Sequence, residues 1–157
     1  MKSLWKAMPA VALAAILTVA AGGAAAFTGG TTQTDSPLAK AAKAVDAGDY
    51  AGAIPILRDV VAKEPRNADA YNYLGYASRK LGRFDEAKIH YLKALDIDPE
   101  HKGANEYLGE LYLELNDLAG AEARLEALDD ACGIFGCEEY DELEEKIEAY
   151  KKGRLQG

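Results

Sequence analysis

The chain has 157 residues, a length typical of a single domain, and its apolar content of 49% is sufficient for a continuous hydrophobic core. It carries 26 acidic and 18 basic side chains, which gives a net charge of −8 at neutral pH. Because phosphate binding needs a clustered basic surface and none is apparent, this balance argues against a nucleic-acid partner.

Residues 1–26 have the composition of a secretory signal peptide. Lys2 and Lys6 form a basic start, residues 11–21 are apolar apart from Thr18, and 24–26 offer a cleavage site of the A-x-A type. Loss of the two lysines would take the net charge from −8 to −10. An uncleaved anchor over residues 8–27 is the alternative, since 20 residues without a charge can span a bilayer. Pro9 and the predominance of Ala over Leu favour cleavage, and 27–35 is predicted to be a flexible lead-in.

Between residues 48 and 128, apolar and turn residues recur at a spacing of 34. Leu74 and Gly75 return as Leu108 and Gly109, and the turn and closing residues recur as the pairs Gly48 and Gly82, and Pro65 and Pro99. The second-helix pattern Tyr50, Ala53, Leu57, Val60 returns as Phe84, Ala87, Tyr91, Ala94, and then as Leu118, Ala121, Leu125, Leu128. A period of 34 residues predicts stacked helical hairpins.

The first hairpin is predicted over 36–66. Ser36 is a capping residue and Pro37 suits the first helical position, so a helix is expected from there to about residue 47. Gly48 and Asp49 form the turn, and apolar residues at spacings of three and four predict a second helix up to Pro65. Pro55 lies inside that helix and predicts a mild kink.

The second and third hairpins are predicted over 67–100 and 101–131. In the second, helices over 67–80 and 84–95 flank a turn, and Gly75 is placed where the paired helix comes closest. The third departs from the pattern, with Asn105 replacing an aromatic residue, Asn116 replacing the turn glycine and Gly133 standing in place of the proline. Asn tolerates the left-handed turn conformation nearly as well as Gly, so this hairpin is still expected to form.

A cysteine loop over 132–137 and a capping helix over 138–153 are predicted to follow. Tyr140, Leu143, Ile147 and Tyr150 form an apolar stripe, while acidic residues at the start and lysines near the end complement the helix dipole. A stack of hairpins needs a terminal helix with a polar outer face to cover its last exposed core.

The Leu-Gly pair, the aromatic residue that opens the second helix, the Ala three residues later and the closing proline together resemble the tetratricopeptide repeat. The Cys-x4-Cys tail is similar to that of short exported bacterial members. The resemblance implies an all-α fold, a right-handed superhelical stack of about three hairpins with a C-terminal capping helix. It also implies a binding protein rather than a catalyst.

Cys132 and Cys137 are predicted to form a disulfide, because an exported chain with an even number of cysteines favours one and the flanking glycines permit a tight loop. A redox-active pair, free thiols and a metal site are the alternatives. The redox reading lacks the Cys-x-x-Cys spacing, and the nearby acids Asp129, Asp130 and Glu138 would raise the pKa of the thiols.

No catalytic function, cofactor or metal site is expected. The sequence contains no Gly-rich phosphate loop, nucleophile motif or metal-binding helix signature. His90 and His101 lie in different repeats without ligand spacing, and both are predicted to be surface residues, with His101 capping a helix after Pro99.

The resemblance places a partner-binding groove along the first helix of each hairpin. Carried onto this chain, the groove positions are Asp69, Asn72, Tyr73, Tyr76, Arg79, Lys80, Glu106, Glu110, Leu113 and Glu114. The groove would then change from tyrosines and basic residues to acids, and the tyrosines could grip an extended peptide. Tyr71 is expected to pack in the core instead. For Tyr76, a position in the groove and a position in the core are equally expected.

These observations predict a non-catalytic interaction module or scaffold that binds a peptide or partner protein. The Ala-rich signal segment and the low lysine content are typical of a Gram-negative bacterium, so the expected compartment is the periplasm, with membrane anchoring through 8–27 as the alternative. Self-association, with a homo-oligomer formed through the open first-repeat end, is a second hypothesis. A thiol redox protein using the two cysteines is a third.

Overall fold

The computed structural model describes residues 35–155, with side chains up to residue 153. The predicted signal peptide, the anchor alternative and nearly all of the lead-in lie outside these residues. The helices are α1 (Pro37–Asp46), α2 (Tyr50–Lys63), α3 (Ala68–Lys80), α4 (Phe84–Ile97), α5 (Lys102–Glu114), α6 (Leu118–Cys132) and α7 (Glu138–Leu155). A 3₁₀ turn over Gly133–Phe135 separates α6 from α7, and residues 35–155 contain no strand, so the predicted all-α class is confirmed.

Side-chain caps fix where most of these helices begin. Ser36 accepts a hydrogen bond from the amide of Ala39 at 3.1 Å, with Pro37 as the first helical residue. Asp49, Asn67, His101 and Asp117 accept in the same way from the amide three residues on, at the starts of α2, α3, α5 and α6. Each cap satisfies one of the amides that a helix N-terminus leaves unpaired. The expected capping role of His101 is therefore confirmed.

The turns inside the three hairpins use the left-handed conformation at positions one period apart. The φ angles are +78° at Gly48, +73° at Gly82 and +60° at Asn116. Only glycine, and less readily asparagine, enters this region without a large steric cost. Asn116 thus forms the same turn as the two glycines, as the sequence predicts.

The helices pack as the pairs α1–α2, α3–α4 and α5–α6, and α7 lies against both α5 and α6. The first helices also contact one another, α1 with α3 and α3 with α5. A Cβ at Gly75 would lie 2.5 Å from the Tyr91 ring, which confirms the predicted close approach of α4. A Cβ at Gly109 would lie equally close to Leu143, so α7 is pressed directly onto α5.

Two segments differ in detail from the expectation. The apolar pattern stops at Leu128, but α6 continues to Cys132, so Asp129 and Asp130 are helical residues. Gly133 then ends the helix with φ +62°. Pro55 lies within α2, which is assigned as one continuous helix, and the kink expected there stays a prediction. Within residues 35–155, none of the helices combines the length and apolarity needed to cross a bilayer.

Candidate functional site

A cavity of about 400 Å³ lies among α1, α2, α3 and α5, and four of its six lining residues are tyrosines. Its lining residues are Val45, Asp46, Tyr50, Tyr73, Tyr76 and Tyr107. Tyr73 and Tyr107 come from equivalent positions of successive repeats, 34 residues apart. The cavity is therefore a product of the repeat itself, since stacking α3 on α5 brings these two rings to the same wall.

Tyr76 holds the aromatic wall together. Its ring centroid lies 6.1 Å from that of Tyr50 in an edge-on arrangement and 4.9 Å from that of Tyr107 in a tilted one. Aromatic pairs at such separations attract one another beyond the area they bury. The rings are half-buried, so they hold a fixed position and still present area to the cavity.

Two further cavities adjoin this one through shared tyrosines. Tyr73 also lines a cavity of about 340 Å³ between α1 and α3, together with Asp69. Tyr107 also lines one of about 240 Å³ between α5 and α7, together with Glu106, Glu138, Glu139 and Glu142. We call the three cavities, joined at Tyr73 and Tyr107, the tyrosine track. Every charged side chain among the described residues that line it is a carboxylate.

The phenol groups at the two joints lie in a negative environment. Burial raises the pKa of Tyr73, and the carboxylates of Asp46 and Asp69 raise it further. Burial also raises the pKa of Tyr107, with Glu106 as the next contributor. Both hydroxyls therefore stay protonated at neutral pH and can donate hydrogen bonds.

Arg79, expected in the basic part of the groove, is instead a buried structural residue. Its side chain is 4% exposed and forms ion pairs with Glu110 and with Glu114, the latter at 3.1 Å. Burial alone would raise the pKa of the Glu110 carboxyl, but Arg79 and Lys146 together lower it below its usual value. The Arg79 charge is therefore compensated within the fold, between α3 and α5.

Glu106 is buried in a second charged cluster, between α5 and α7. The Lys146 ammonium lies within 4 Å of three carboxylates: it is 3.7 Å from Glu106, 3.2 Å from Glu142, and in close contact with Glu110. Burial raises the pKa of Glu106 to about 8, helped by a hydrogen bond with Glu142 and the charge of Glu110. Oxygen atoms of the three carboxylates lie within 4.8 Å of one another, a spacing that could hold a metal ion, but the Lys146 ammonium already contacts all three.

The other predicted groove residues have varied placements. Asp69 is exposed, and its carboxylate lies 3.1 Å from His101 Nε2, while Asn72 is buried. Lys80 is exposed, with its Nζ atom 5.1 Å from the Tyr76 ring centroid. Tyr71 packs between two core clusters, as expected. The structure thus brings Tyr73, Tyr76, Asp69 and Glu106 to the tyrosine track, whereas Asn72 and Arg79 are buried outside it.

Sequence reasoning missed Tyr50, Tyr107 and Asp46 as lining residues of the first cavity, and Glu138, Glu139 and Glu142 as lining residues of the cavity between α5 and α7. The signal for Tyr107 was available, because it stands one 34-residue period after Tyr73. Tyr50 and Asp46 gave no such signal, since Tyr50 fits the ordinary apolar pattern of α2 and Asp46 ends α1.

The two cysteines lie outside the tyrosine track, at the junction of α6 and α7. Their Cα atoms are 5.5 Å apart and their sulfur atoms are within bonding distance. Between them, Ile134 and Phe135 are 94% and 93% exposed, a rare placement for large apolar side chains.

The middle of the chain matches a known family. The family model for the tetratricopeptide repeat matches residues 38–102. Two curated proteins are similar to part of this chain: the probable biofilm formation methyltransferase WspC of Pseudomonas putida, 34% identical over 84 residues, and tetratricopeptide repeat protein 37 of Xenopus laevis, 32% identical over 79 residues. The matches cover 54% and 50% of this chain, but only 20% and 5% of those relatives.

Solved structures share the fold over most of the chain. The translocator chaperone SycD of Yersinia enterocolitica superimposes with a TM-score of 0.68 at 17% identity, over 80% of this chain and 92% of that one. The Sgt2 TPR domain of Aspergillus fumigatus gives 0.69 at 20% identity, over 81% and 84%. PcrH, in complex with the chaperone binding region of PopD, gives 0.66 at 19% identity, over 75% and 90%. At these identities the likeness establishes the fold, an all-α stack of helical repeats.

Proposed function

We propose that this tetratricopeptide-repeat protein is a non-catalytic interaction module of the bacterial periplasm that binds an extended segment of a partner protein along the tyrosine track. The observation that carries the proposal is the cavity walled by Tyr50, Tyr73, Tyr76 and Tyr107. Half-buried tyrosines offer a large contact area at low conformational cost, together with hydroxyl donors. Structural neighbours support a protein partner, since PcrH was solved with a region of PopD and SycD with a peptide of YopD.

The periplasmic part of the proposal rests on residues 1–26 and on the two cysteines. In an oxidising compartment Cys132 and Cys137 would form a structural disulfide, in agreement with the bonding distance between their sulfur atoms. Fractionation of the source cells tests this directly. Recovery of a shortened chain in the periplasmic fraction is expected, and recovery of the unprocessed chain in the cytoplasm or membrane would contradict it.

Capture from a periplasmic extract tests the binding function. The full-length chain is expected to retain a partner that a Tyr73→Ala variant does not, because Tyr73 lines two of the three cavities. Ile89→Ala is the matched control, since Ile89 is 65% exposed and lines none of the three. Equal capture by the wild type and Tyr73→Ala, with both folded by circular dichroism, would refute binding through the track.

Self-association is the second candidate function, and the exposed Ile134 and Phe135 favour it, because exposed apolar residues are common at contacts between proteins. Sedimentation of the wild type and an Ile134→Ser variant separates the two candidates. A monomer at micromolar concentration would exclude self-association. A dimer that the substitution dissociates would support it.

A further inference from the structure

The charges along the tyrosine track indicate what kind of segment it takes. Six carboxyl groups line the three cavities and none of the described lining residues is a lysine or arginine; the six are Asp46, Asp69, Glu106, Glu138, Glu139 and Glu142. Glu106, whose pKa is raised to about 8, is mostly protonated at neutral pH, so the negative charge comes from the other five. An acidic segment placed there would meet like charges along its whole length.

Two of the basic residues near the track, Arg79 and Lys146, are paired with carboxylates inside the fold, whereas Lys80 is exposed and lies over the Tyr76 ring. Arg79 is buried and paired with two glutamates, and Lys146 is bonded to Glu110 and Glu142. Lys146 neutralises Glu110 and part of the charge of Glu142, but Asp46, Glu138 and Glu139 form no ion pair with a cation among residues 35–153. The track therefore keeps a surplus of negative charge after the fold has formed.

The aromatic wall favours a cation for a separate reason. The face of a tyrosine ring attracts an ammonium or guanidinium group within about 6 Å of its centroid. The chain already uses these rings in this way: Arg79 Cζ lies 5.7 Å from the Tyr76 centroid and 5.8 Å from that of Tyr107, and Lys80 Nζ lies 5.1 Å from Tyr76. Asp46, on the same wall, would face a cation held by the rings.

Resting on the proposed function, we infer that the segment bound by the track is basic. A Lys or Arg side chain occupies the 400 Å³ cavity against the tyrosine rings and Asp46. A second basic side chain lies at the neighbouring cavity beside Glu138 and Glu139. A neutral apolar segment could fill the aromatic cavity but would leave these carboxylates without a partner, so it is the main rival.

Selection of random peptides on the full-length chain tests the inference without assuming a sequence. The library displays peptides of about 12 residues, long enough for an extended binding segment. Enriched peptides are expected to carry a net positive charge, and replacement of their Lys and Arg by Gln is expected to weaken binding about tenfold, measured by fluorescence anisotropy. Their affinity should fall as salt rises from about 0.05 to about 0.5 M, because exposed charges are screened.

Matched variants separate recognition from general charge attraction. Asp46→Asn and Glu138→Gln are each expected to weaken binding of the enriched peptides about threefold. Asp59→Asn removes the same charge from an exposed site on α2 outside the track and is expected to leave affinity unchanged. Equal weakening by Asp59→Asn would overturn the inference.

Two further outcomes distinguish failure of the inference from failure of the proposed function. If the enriched peptides are neutral or acidic yet lose binding to Tyr73→Ala, the track binds peptides but the inferred chemistry is wrong. If Tyr73→Ala enriches and binds the same peptides as the wild type, the track is not the binding site and both fail.

Discussion

Gly75 and Gly109 occupy equivalent positions in successive repeats, but different helices pack against them. Tyr91 of α4 covers Gly75, whereas Gly109 is covered by Leu143 of α7. One period after Tyr91 stands Leu125, a smaller side chain. The capping helix therefore supplies, at the third repeat, a contact that the hairpin itself supplies at the second.

A methyl group at Gly75 should be poorly tolerated. Gly75→Ala would place Cβ 2.5 Å from the fully buried Tyr91 ring, and overpacking of this kind costs about 1 to 3 kcal/mol of unfolding free energy. Urea denaturation followed by circular dichroism measures the loss. Gly153→Ala is the control, since nothing lies within 4 Å of its Cβ position and the exchange is expected to be neutral or slightly stabilising. Equal effects of the two would contradict the packing argument.

Glu106 should make stability fall with rising pH. Its pKa is raised to about 8 in the folded chain, from an ordinary value near 4.5, by burial first and by Glu142 and Glu110 after it. Between these values the folded state holds a proton that the unfolded state has lost. The contribution of Glu106 to the free energy of unfolding is therefore greatest below the unfolded pKa, and it is lost as the pH rises to about 8.

Glu106→Gln replaces this titrating carboxyl group with an amide that does not ionise. Thermal melts from pH 5 to pH 9 are expected to show a shallower decline for the variant than for the wild type. Glu145→Gln removes an exposed carboxylate on α7 and should keep the wild-type slope. Parallel slopes for all three proteins would show that Glu106 is ionised throughout.

At the scale of elements, the α5–α6 turn depends on one backbone conformation. Asn116 has φ +60°, and its side chain accepts a hydrogen bond from the Tyr150 hydroxyl. Asn116→Ala and Asn116→Gly both remove that bond, but only alanine is strained in the left-handed region. The alanine variant is therefore expected to be about 1 kcal/mol less stable than the glycine variant by urea denaturation. Equal stabilities of the two variants would contradict the argument that the left-handed backbone conformation limits the residues tolerated at this turn.

The cysteine loop connects α6 to the capping helix. If Cys132 and Cys137 are joined in a structural disulfide, the double Cys→Ser variant should lose about 2 kcal/mol of unfolding free energy by loop closure alone and keep its helical content. Chemical denaturation of the wild type with and without a reducing agent gives the comparison, with the reduced wild type expected to match the double variant. An unchanged midpoint on reduction would contradict a stabilising disulfide. Unchanged partner binding by the double variant would remove the redox alternative.

At the scale of the whole molecule, three core clusters follow one another along the stack and tyrosines join them. Tyr71 packs against the first and second clusters, and Tyr112 against the second and third. In a repeat array, stability is the sum of each unit and its interface with the next. We therefore expect Tyr71 and Tyr112 to couple the unfolding of one hairpin to that of the next.

Loss of Tyr112 should separate the C-terminal part of the fold from the rest. Tyr112→Ala is expected to broaden the urea transition, with amides of α6 and α7 exchanging hydrogen before those of α3 and α4. Tyr140→Ala is the control, because Tyr140 packs against the third cluster alone and should lower stability without broadening the transition. A sharp single transition for Tyr112→Ala would place the coupling elsewhere.

Most of the fold is predictable from the sequence because packing residues repeat at a fixed spacing. Gly75, Tyr91 and the turn at Asn116 all have local signals that the structure confirms. The candidate site is less predictable. Spacing brings Tyr73 and Tyr76 to the track, but it cannot show that Arg79 is buried, since that depends on Glu114, 35 residues away. Glu106 likewise depends on Lys146 of the capping helix.

The buried Arg79 also limits how this array can be lengthened. A duplicate of residues 67–100 inserted after the second hairpin would replace Glu110 and Glu114, at the Arg79 contact, with copies of Tyr76 and Lys80. An arginine buried beside a lysine and without a carboxylate is strongly destabilising. The second hairpin therefore needs the third directly after it, because only the third supplies the carboxylates that pair with Arg79. Duplication of the most regular repeat would give a longer but less stable protein.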